Sequence, residues 1–469
     1  MTQHQDIIVA PATMSGGAIA IIRLSGEGSI ALTDKLFRGK SPLAAAKGHT
    51  IHYGEIVDEQ GDVVDDVLVS IFRAPHSYTA EDGVEISCHG SQYIVQRILS
   101  LAIHHGARMA EAGEFTMRAY MAGRMDLSQA EAVADMIAAS SEAAHRMATT
   151  QMRGGYSSKL GELRAKLLHL VTLLELELDF SEEDVEFADR AKLGALMADI
   201  RSEIVRLKES FAVGNAIKNG VAVAIIGEPN AGKSTLLNRL LNDDRAMVSE
   251  IAGTTRDIIE ESIVIKGITF RFIDTAGIHD TQDRLEQMGI ERSFRAIERA
   301  QVVIQLVDAT KGDFEPIEVS ENQRLIVVRN KVDLLNGSAV SSKSTAVNIS
   351  NDGDSFVGIS YERGSCSTIE ISAKKNLGIE RLIDTLYNTL NTDSLYAGDA
   401  IVSSTRHYNL LHTAQEFLDA AQTALHDQTP TDLLCEDIRQ VLHPIGEITG
   451  EINTDEILGN IFRSFCIGK

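Results

Sequence analysis

The chain has 469 residues, 44% hydrophobic and 24% charged, and its 67 acidic side chains outnumber 44 basic ones for a formal net charge of −23. Such a length exceeds one ordinary core and predicts about two to four domains of a globular protein. The negative balance opposes nonspecific adhesion to phosphate backbones and anionic lipid, so a nucleic-acid substrate needs a local basic patch or a partner protein to hold it.

No apolar run is long enough to span a bilayer, and "MTQHQDIIVAPAT" (1–13) lacks the basic stretch and apolar core of a secretory signal, which predicts a cytoplasmic protein without membrane contact. The four cysteines, Cys88, Cys366, Cys435 and Cys466, lie far apart, form no C-x-x-C pair and predict neither a disulfide framework nor a zinc site. The terminal "CIGK" ends on Lys, which a prenylation box does not use.

Residues 1–124 alternate β-rich runs with turns. "AIAIIRLSG" (18–26), "VVDDVLVSIFRAP" (63–75) and "GVEISCHG" (83–90) read as strands and "SQYIVQRILSLAIHHGA" (91–107) as a helix, an α+β pattern rather than a βαβ repeat. From residue 125 the pattern turns helical. "SQAEAVADMIAASSEAAHRMATTQM" (128–152) is rich in Ala and opens with Ser128 and Glu131 at capping-box spacing, which predicts a helix. Leu160, Leu163, Leu167, Val171, Leu174 and Leu178 recur at three- and four-residue intervals, the apolar stripe of a second helix. "SEEDVEF" (181–187) reads as a solvated break, and a third helix is predicted over about 188–212.

Between 217 and 391 the period switches to strands: "VAVAIIG" (221–227), "ITFRFID" (268–274), "VVIQLVD" (302–308) and "LIVVRN" (325–330), separated by helical segments, predict a parallel α/β domain. Residues 336–366, rich in Ser, Gly, Asn and Asp, read as a long surface loop. From 392 helices return in "STRHYNLLHTAQEFLDAAQTALHD" (404–427) and "TDLLCEDIRQVLHP" (431–444). Helices on both flanks predict an α/β domain, 217–391, inserted in a helical one whose parts, 125–216 and 392–469, pack together.

"GEPNAGKST" (227–235) fits G-x-x-x-x-G-K-[ST] between an apolar strand and a helical run. Its glycines let backbone amides turn in around phosphates; Lys233 reaches the β and γ oxygens, and Ser234 is a magnesium ligand. Asn230, Ala231, Gly232 and Thr235 complete the loop. The remaining pieces resemble, in kind and order, those of the TRAFAC-class GTPases. "SEIAGTT" supplies Ser249, Glu250, Ile251, Ala252, Gly253, Thr254 and Thr255, of which Thr255 resembles the switch threonine that completes magnesium coordination. "DTAG" supplies Asp274, Thr275, Ala276 and Gly277. "NKVD" (Asn330, Lys331, Asp333) looks like the guanine reader, because a carboxylate accepts two hydrogen bonds from N1 and the exocyclic amine of guanine, which adenine does not offer. "SAK" (Ser372, Ala373, Lys374) completes the base pocket, and GTP is the expected ligand.

Ile278 follows Gly277 where signalling GTPases carry a Gln that orients the attacking water, so another group must aim it. Asn230 and the 249–255 segment resemble potassium-activated GTPases, in which Asn230, Ser249, Thr254 and the carbonyl of Ile251 would hold a monovalent cation. The alternative reading of Asn230 is a brace for the loop. Glu286, in "DRLEQMGIERS", matches the glutamate such enzymes use to orient water once two GTPase domains pair; its alternative is a solvated helix glutamate. Lys233, Asn230 and Glu286 are the expected catalytic groups.

"ATMSGGAIAIIRLSG" (12–26), "EFTMRAYMAGRMDLSQAEAVADMI" (114–137) and "GEITGEINTDEILGNIFRSFCIGK" (446–469) resemble the MnmE (TrmE) family of tRNA wobble-uridine modification GTPases along essentially the whole chain. The resemblance implies a multidomain α/β and α+β protein. Its expected parts are an N-terminal domain (1–124) that dimerises and binds a tetrahydrofolate derivative, in the 5,10-methylene or 5-formyl form, a central helical domain, and a Ras-like GTPase domain inserted in it. It further implies a homodimer that works with an FAD-dependent partner of the MnmG (GidA) type, in a heterotetramer or larger assembly, to place a carboxymethylaminomethyl-type group on C5 of the tRNA wobble uridine, U34. Arg23, Glu85, Arg124 and Lys469 match the folate-contacting positions, a carboxylate suiting the pterin N–H edge and cations the glutamate tail; Arg124 stands where many members carry Lys. Cys466 reads either as a nucleophile toward C6 of uridine or as a small buried apolar residue. Two rivals remain at this level: a regulatory GTPase whose folate-like domain only dimerises, and a folate-dependent methyltransferase with GTP as a structural ligand.

Overall fold

The computed structural model describes residues 6–13, 16–179, 190–242, 246–248, 261–273, 296–311, 314–320, 323–335, 367–389, 400–452, 455–463, 465, 466 and 468. They form two compact units, one of residues 1–134 with 446–469 and the other of residues 135–445.

In the first unit β1 (Ile8–Pro11), β2 (Ile19–Ser25), β3 (Phe37–Gly39), β4 (Thr50–Val57), β5 (Val63–Phe72), β6 (Gly83–His89) and β7 (Arg108–Met109) form one sheet, ordered β3-β4-β5-β6-β2-β1-β7. Neighbours are antiparallel except β1 and β7. Period-two alternation decides the faces: along β5, Val67, Val69 and Ile71 are buried while Asp66 and Leu68 are exposed. Helices α1 (Ser29–Leu36) and α2 (Gln92–His104) cover the apolar face with Ile30, Leu36, Ile98 and Leu101. Helix α3 (Glu114–Met121) sets Phe115 against Ile8 and Ala10. The terminal helix Asp455–Arg463 packs Leu458 and Phe462, with Phe465 beyond its end, against Leu127 and Ala130. A charged cluster ties β7, α3 and the chain before β1. Arg108 pairs with Asp6 and Glu114 (2.5 Å each), and the buried Arg118 pairs with Asp6 (2.7 Å), Glu114 (3.0 Å) and Glu81 (3.2 Å). Burial pushes the Glu114 carboxyl up, but its bonds to Arg108, the Glu111 N–H and Arg118 outweigh that and hold it below its ordinary range.

The 128–152 segment departs from the single expected helix. It forms α4 (Leu127–Ala138) and α5 (Glu142–Met152), because Ser141 caps a new start by accepting from the Ala144 N–H (3.2 Å). The box that opens α4 is Asp126 with Gln129, not Ser128 with Glu131. Asp126 Oδ1 accepts from the Gln129 N–H and Gln129 Oε1 accepts from the Asp126 N–H, both at 2.9 Å.

In the second unit α6 (Gly155–Asp179) buries Leu160, Leu163, Leu167, Val171 and Leu174 as expected; Leu178, in its last turn, is exposed. The third expected helix is α7 (Arg190–Glu209), and a further helix, α8 (Phe211–Asn219), follows it after Ser210, whose Oγ accepts from the Val402 N–H (3.0 Å). A sheet of β8 (Val221–Gly227), β9 (Ala246–Val248), β10 (Glu261–Ile265), β11 (Ile268–Phe272), β12 (Val302–Asp308), β13 (Arg324–Asn330) and β14 (Ser367–Glu370) runs β14-β13-β12-β8-β11-β10-β9. It is parallel from β14 to β11, but β9 and β10 join antiparallel, so the sheet is mixed rather than parallel throughout. Helices α9 (Lys233–Leu241) and α10 (Ile379–Tyr387) bury Leu236, Leu240, Leu382 and Leu386 against it. Beyond the sheet come α11 (Thr405–His426) and α12 (Thr431–Thr449).

Helices from either side of the sheet segment pack together. Arg201 on α7 pairs with Asp419 on α11 (2.6 Å), Lys208 donates to Gln415 (2.6 Å), and Gln151 donates to the Ile401 carbonyl (2.8 Å). Helix α12 runs five residues past Pro444, where an end was expected; burial of Val441, Ile445 and Ile448 offsets the lost backbone bond. The expected break at 181–187 and the 336–366 loop lie outside the described residues. Among the described residues no helix is long and apolar enough to cross a membrane.

Candidate functional site

The phosphate loop sits where β8 ends and α9 begins, at the carboxyl edge of the parallel strands. Gly232 precedes the helix at φ 101°, and a Cβ there would meet Asn330 Nδ2 at 2.4 Å, so only glycine fits. Asn230 also adopts a left-handed backbone, φ 64°. Its side chain is exposed and makes no hydrogen bond among the described residues. Lys233 reaches back across the loop, Nζ donating to the carbonyls of Gly227 (2.7 Å) and Glu228 (3.1 Å). Burial pushes its ammonium below the usual lysine range. Ser234 and Thr235 lie in the first turn of α9, Ser234 half-buried and Thr235 exposed. A hydroxyl beside a helix N-terminus and an ammonium is a donor set that fits a magnesium-bound phosphate chain.

Asn330, at the end of β13, is buried and joins two loops. Its Nδ2 donates to the Ala231 carbonyl (2.9 Å) and its Oδ1 accepts from the Ala373 N–H (3.0 Å). It therefore acts on the pocket by fixing the phosphate loop to the 372–374 loop. Lys331, left-handed at φ 67°, pairs with Asp308 at 2.7 Å. That ion pair, with Thr310 donating, holds the Asp308 carboxyl down at about 2. Asp333 is held below the usual carboxylate range chiefly by the Ser372 hydroxyl, with Lys375 and Lys374 adding charge. Ser372 is itself fixed by paired bonds with Leu377 (3.0 and 3.1 Å), and Arg239 holds the Ala373 carbonyl (3.3 Å). The Asp333 carboxylate is therefore ionised at neutral pH.

Asp308 was missed by motif reading, although strand register sets it directly beside Asn330. Ser249, Glu250, Ile251, Ala252, Gly253, Thr254, Thr255, Asp274, Thr275, Ala276, Gly277, Ile278 and Glu286 lie outside the described residues.

In the first unit Arg23 and Glu85 are cross-strand partners on β2 and β6, and they pair at 2.9 Å. The Arg23 guanidinium lies 5.6 Å from the Tyr78 ring and 5.7 Å from that of Phe115. It also donates to the Gly468 carbonyl (3.3 Å), which brings the chain terminus to the site. A Cβ on Gly468 would meet the Pro11 carbonyl at 2.2 Å, so the tail fits only as glycine. Glu85 Oε1 is taken by Arg23, while Oε2 has no bond among the described residues and is open to an N–H edge. Arg23 is thus committed to Glu85 and the tail rather than standing as a free cation. Arg124 is exposed after α3, and no bond among the described residues brings its side chain to this pair. Lys469 lies outside the described residues. Cys466 is exposed, which removes the reading of a small buried residue.

A family model described as GTP-binding protein TrmE N-terminus matches residues 7–124, and one described as MnmE helical domain matches residues 127–466. The tRNA modification GTPase MnmE of Flavobacterium johnsoniae is 48% identical over 479 residues, covering 99% of this chain and 100% of the relative. The protein of that name from Bacteroides thetaiotaomicron is 48% identical over 477 residues, with coverage of 99% and 100%. That from Cytophaga hutchinsonii is 48% identical over 470 residues, with coverage of 100% and 99%.

Proposed function

The chain belongs to the MnmE family, and from that premise we propose that it is a GTP hydrolase acting in tRNA modification. The observation that carries the reading is the Asn330 brace, which sets a phosphate loop with Lys233 and an ionised Asp333 at one edge of one sheet. In the cycle, the loop amides and Lys233 bind the β and γ phosphates, and Asp333 selects guanine over adenine. Ser234 and Thr255 hold magnesium, which when bound neutralises the phosphate oxygens. Asn230, Ser249, Ile251 and Thr254 hold potassium, which when bound supplies positive charge otherwise given by an arginine finger. The exposure of the Asn230 side chain, on a left-handed position of the loop, supports that role. Glu286 orients the attacking water in place of the apolar Ile278.

The finer reading extends to the other parts. The GTPase domain is an insert in the helical domain, supported by the α7–α11 pairing across it. The N-terminal domain is the homodimer contact, supported by the exposed Ile51, Tyr53 and Leu68 on the outer sheet face. Arg23, Glu85, Arg124 and Lys469 receive a tetrahydrofolate derivative, which when bound supplies a one-carbon unit; the open Oε2 of Glu85 supports it. An FAD-dependent partner completes the installation of a carboxymethylaminomethyl-type group on C5 of U34 in the cytoplasm, with hydrolysis coupled to pairing of the GTPase domains.

Nucleoside analysis of tRNA from cells lacking the gene tests the central reading, with loss of the 5-substituted wobble uridine expected. Intact modification there sinks it. GTP turnover faster in potassium than in sodium, with the difference abolished by Asn230→Ala, is the expected result for the cation; equal rates in both salts rule it out.

A further inference from the structure

The second unit holds a cavity of about 420 Å³ lined by Asn215, Asn219, Gly220, Arg271, Arg299 and Gln301, together with Ala222. It lies at the amino ends of β8 and β12, whereas the phosphate loop occupies the carboxyl end of β8. Its lining carries two guanidinium groups, three side-chain amides and no carboxylate. That composition departs from the rest of a chain with net charge −23. The larger cavity between α7 and α11 also has two arginines, but Glu209 and Asp419 share its wall and Asp419 pairs with Arg201.

The pocket is built. Gly220 leaves the room in which Arg271 lies, since a Cβ there would stand 3.1 Å from Arg271 Cγ and 3.3 Å from Nε. Gln301 is fixed by accepting from the Ala222 N–H (3.2 Å), and Asn219 Nδ2 donates to Asn215 Oδ1 (2.6 Å), which leaves the Asn215 amide N–H groups outside that bond. Arg299 is exposed and has no ion pair or hydrogen bond among the described residues. The Arg299 guanidinium and the side-chain amides, in a lining that holds no carboxylate, match the oxyanion of a phosphate, and the exposed Asn219 and Arg299 leave the pocket open to a macromolecule.

We propose that this pocket is a contact for the tRNA phosphate backbone, a local cationic site that lets a strongly acidic protein hold a polyanion. The proposal rests on the tRNA-modification reading. Phosphate contacts position a nucleic acid without reading its sequence, so the site serves orientation rather than choice of tRNA.

The test is binding of bulk tRNA to the full-length chain across a salt titration, for wild type, Arg299→Glu and Arg299→Lys, with GTP turnover measured alongside. Arg299→Glu is expected to weaken binding about fivefold and to flatten the slope of log affinity against log salt by about one contact, while Arg299→Lys restores most of both. GTP turnover stays at the wild-type rate. Wild-type affinity and slope in Arg299→Glu overturn the proposal and leave the tRNA-modification reading intact. Failure of the wild-type chain to bind tRNA also overturns it, and that reading then stands or falls on nucleoside analysis alone.

Discussion

The nucleotide pocket and the Arg23–Glu85 site assemble in opposite ways. The first is made of short contiguous loops at one strand edge, where backbone groups and a few neighbouring side chains do the recognition. The second joins residues on two strands to a carbonyl 445 positions away. The difference teaches that a loop-built site announces itself as a motif, while a pairing-built site exists only once the sheet has closed and the terminus has docked.

Four substitutions break or sharpen that contrast. Lys233→Ala removes the ammonium that donates to the phosphate-loop carbonyls and is expected to lower GTP turnover on the order of a hundredfold or more, read by phosphate release. Its native partners are loop carbonyls, so the unfolding midpoint should stay near wild type; a collapse of stability would mean the loop is structural first. Asn330→Ala should do the reverse. It orphans the Ala231 carbonyl and the Ala373 N–H, costing about 2–4 kcal/mol in urea unfolding as well as weakening GTP binding.

Gly468→Val tests the long-range site. With no room for a side chain beside Pro11, the tail should undock, raising its cleavage by carboxypeptidase and lowering tetrahydrofolate affinity about tenfold while GTP turnover is unchanged. Folate affinity equal to wild type would show that the Arg23–Glu85 pair acts without the tail. The smallest effect is expected from Lys331→Met. Asp308 is depressed to about 2 from an ordinary 3.8, so its contribution is complete above 3.8 and is lost as pH falls toward 2. Removing Lys331 should lower stability at neutral pH and flatten the acid limb between those values, measured as urea midpoint against pH. An unchanged acid limb would place the depression of Asp308 with Thr310 instead.

Much of the second unit was legible because its determinants are local. β8 and β12 fall on the residues that their apolar runs predicted, and the phosphate loop follows from glycine and lysine spacing. Where reading failed, a nonlocal partner had decided. The helix past Pro444 answers to buried isoleucines, Ile445 and Ile448. The single predicted helix over 128–152 failed for a local reason, since Ser141 offered a cap that an Ala-rich pattern conceals. Asp126 with Gln129 is equally local and carries the capping-box form, but the Ser/Glu pair two residues on obscured it. In the first unit no spacing rule links Arg23 to Gly468, and the resemblance pointed to Arg23, Glu85, Arg124 and Lys469 but not to Gly468.

The Arg23 to Gly468 bond has a consequence for local opening. Arg23 meets Glu85 across 62 positions and Gly468 across 445, so the tail contact closes by far the longer loop through a single side chain–backbone bond. The sheet can therefore keep the Arg23–Glu85 pair while the tail lifts away, and amide exchange at Gly468 should outpace exchange along β2 and β6.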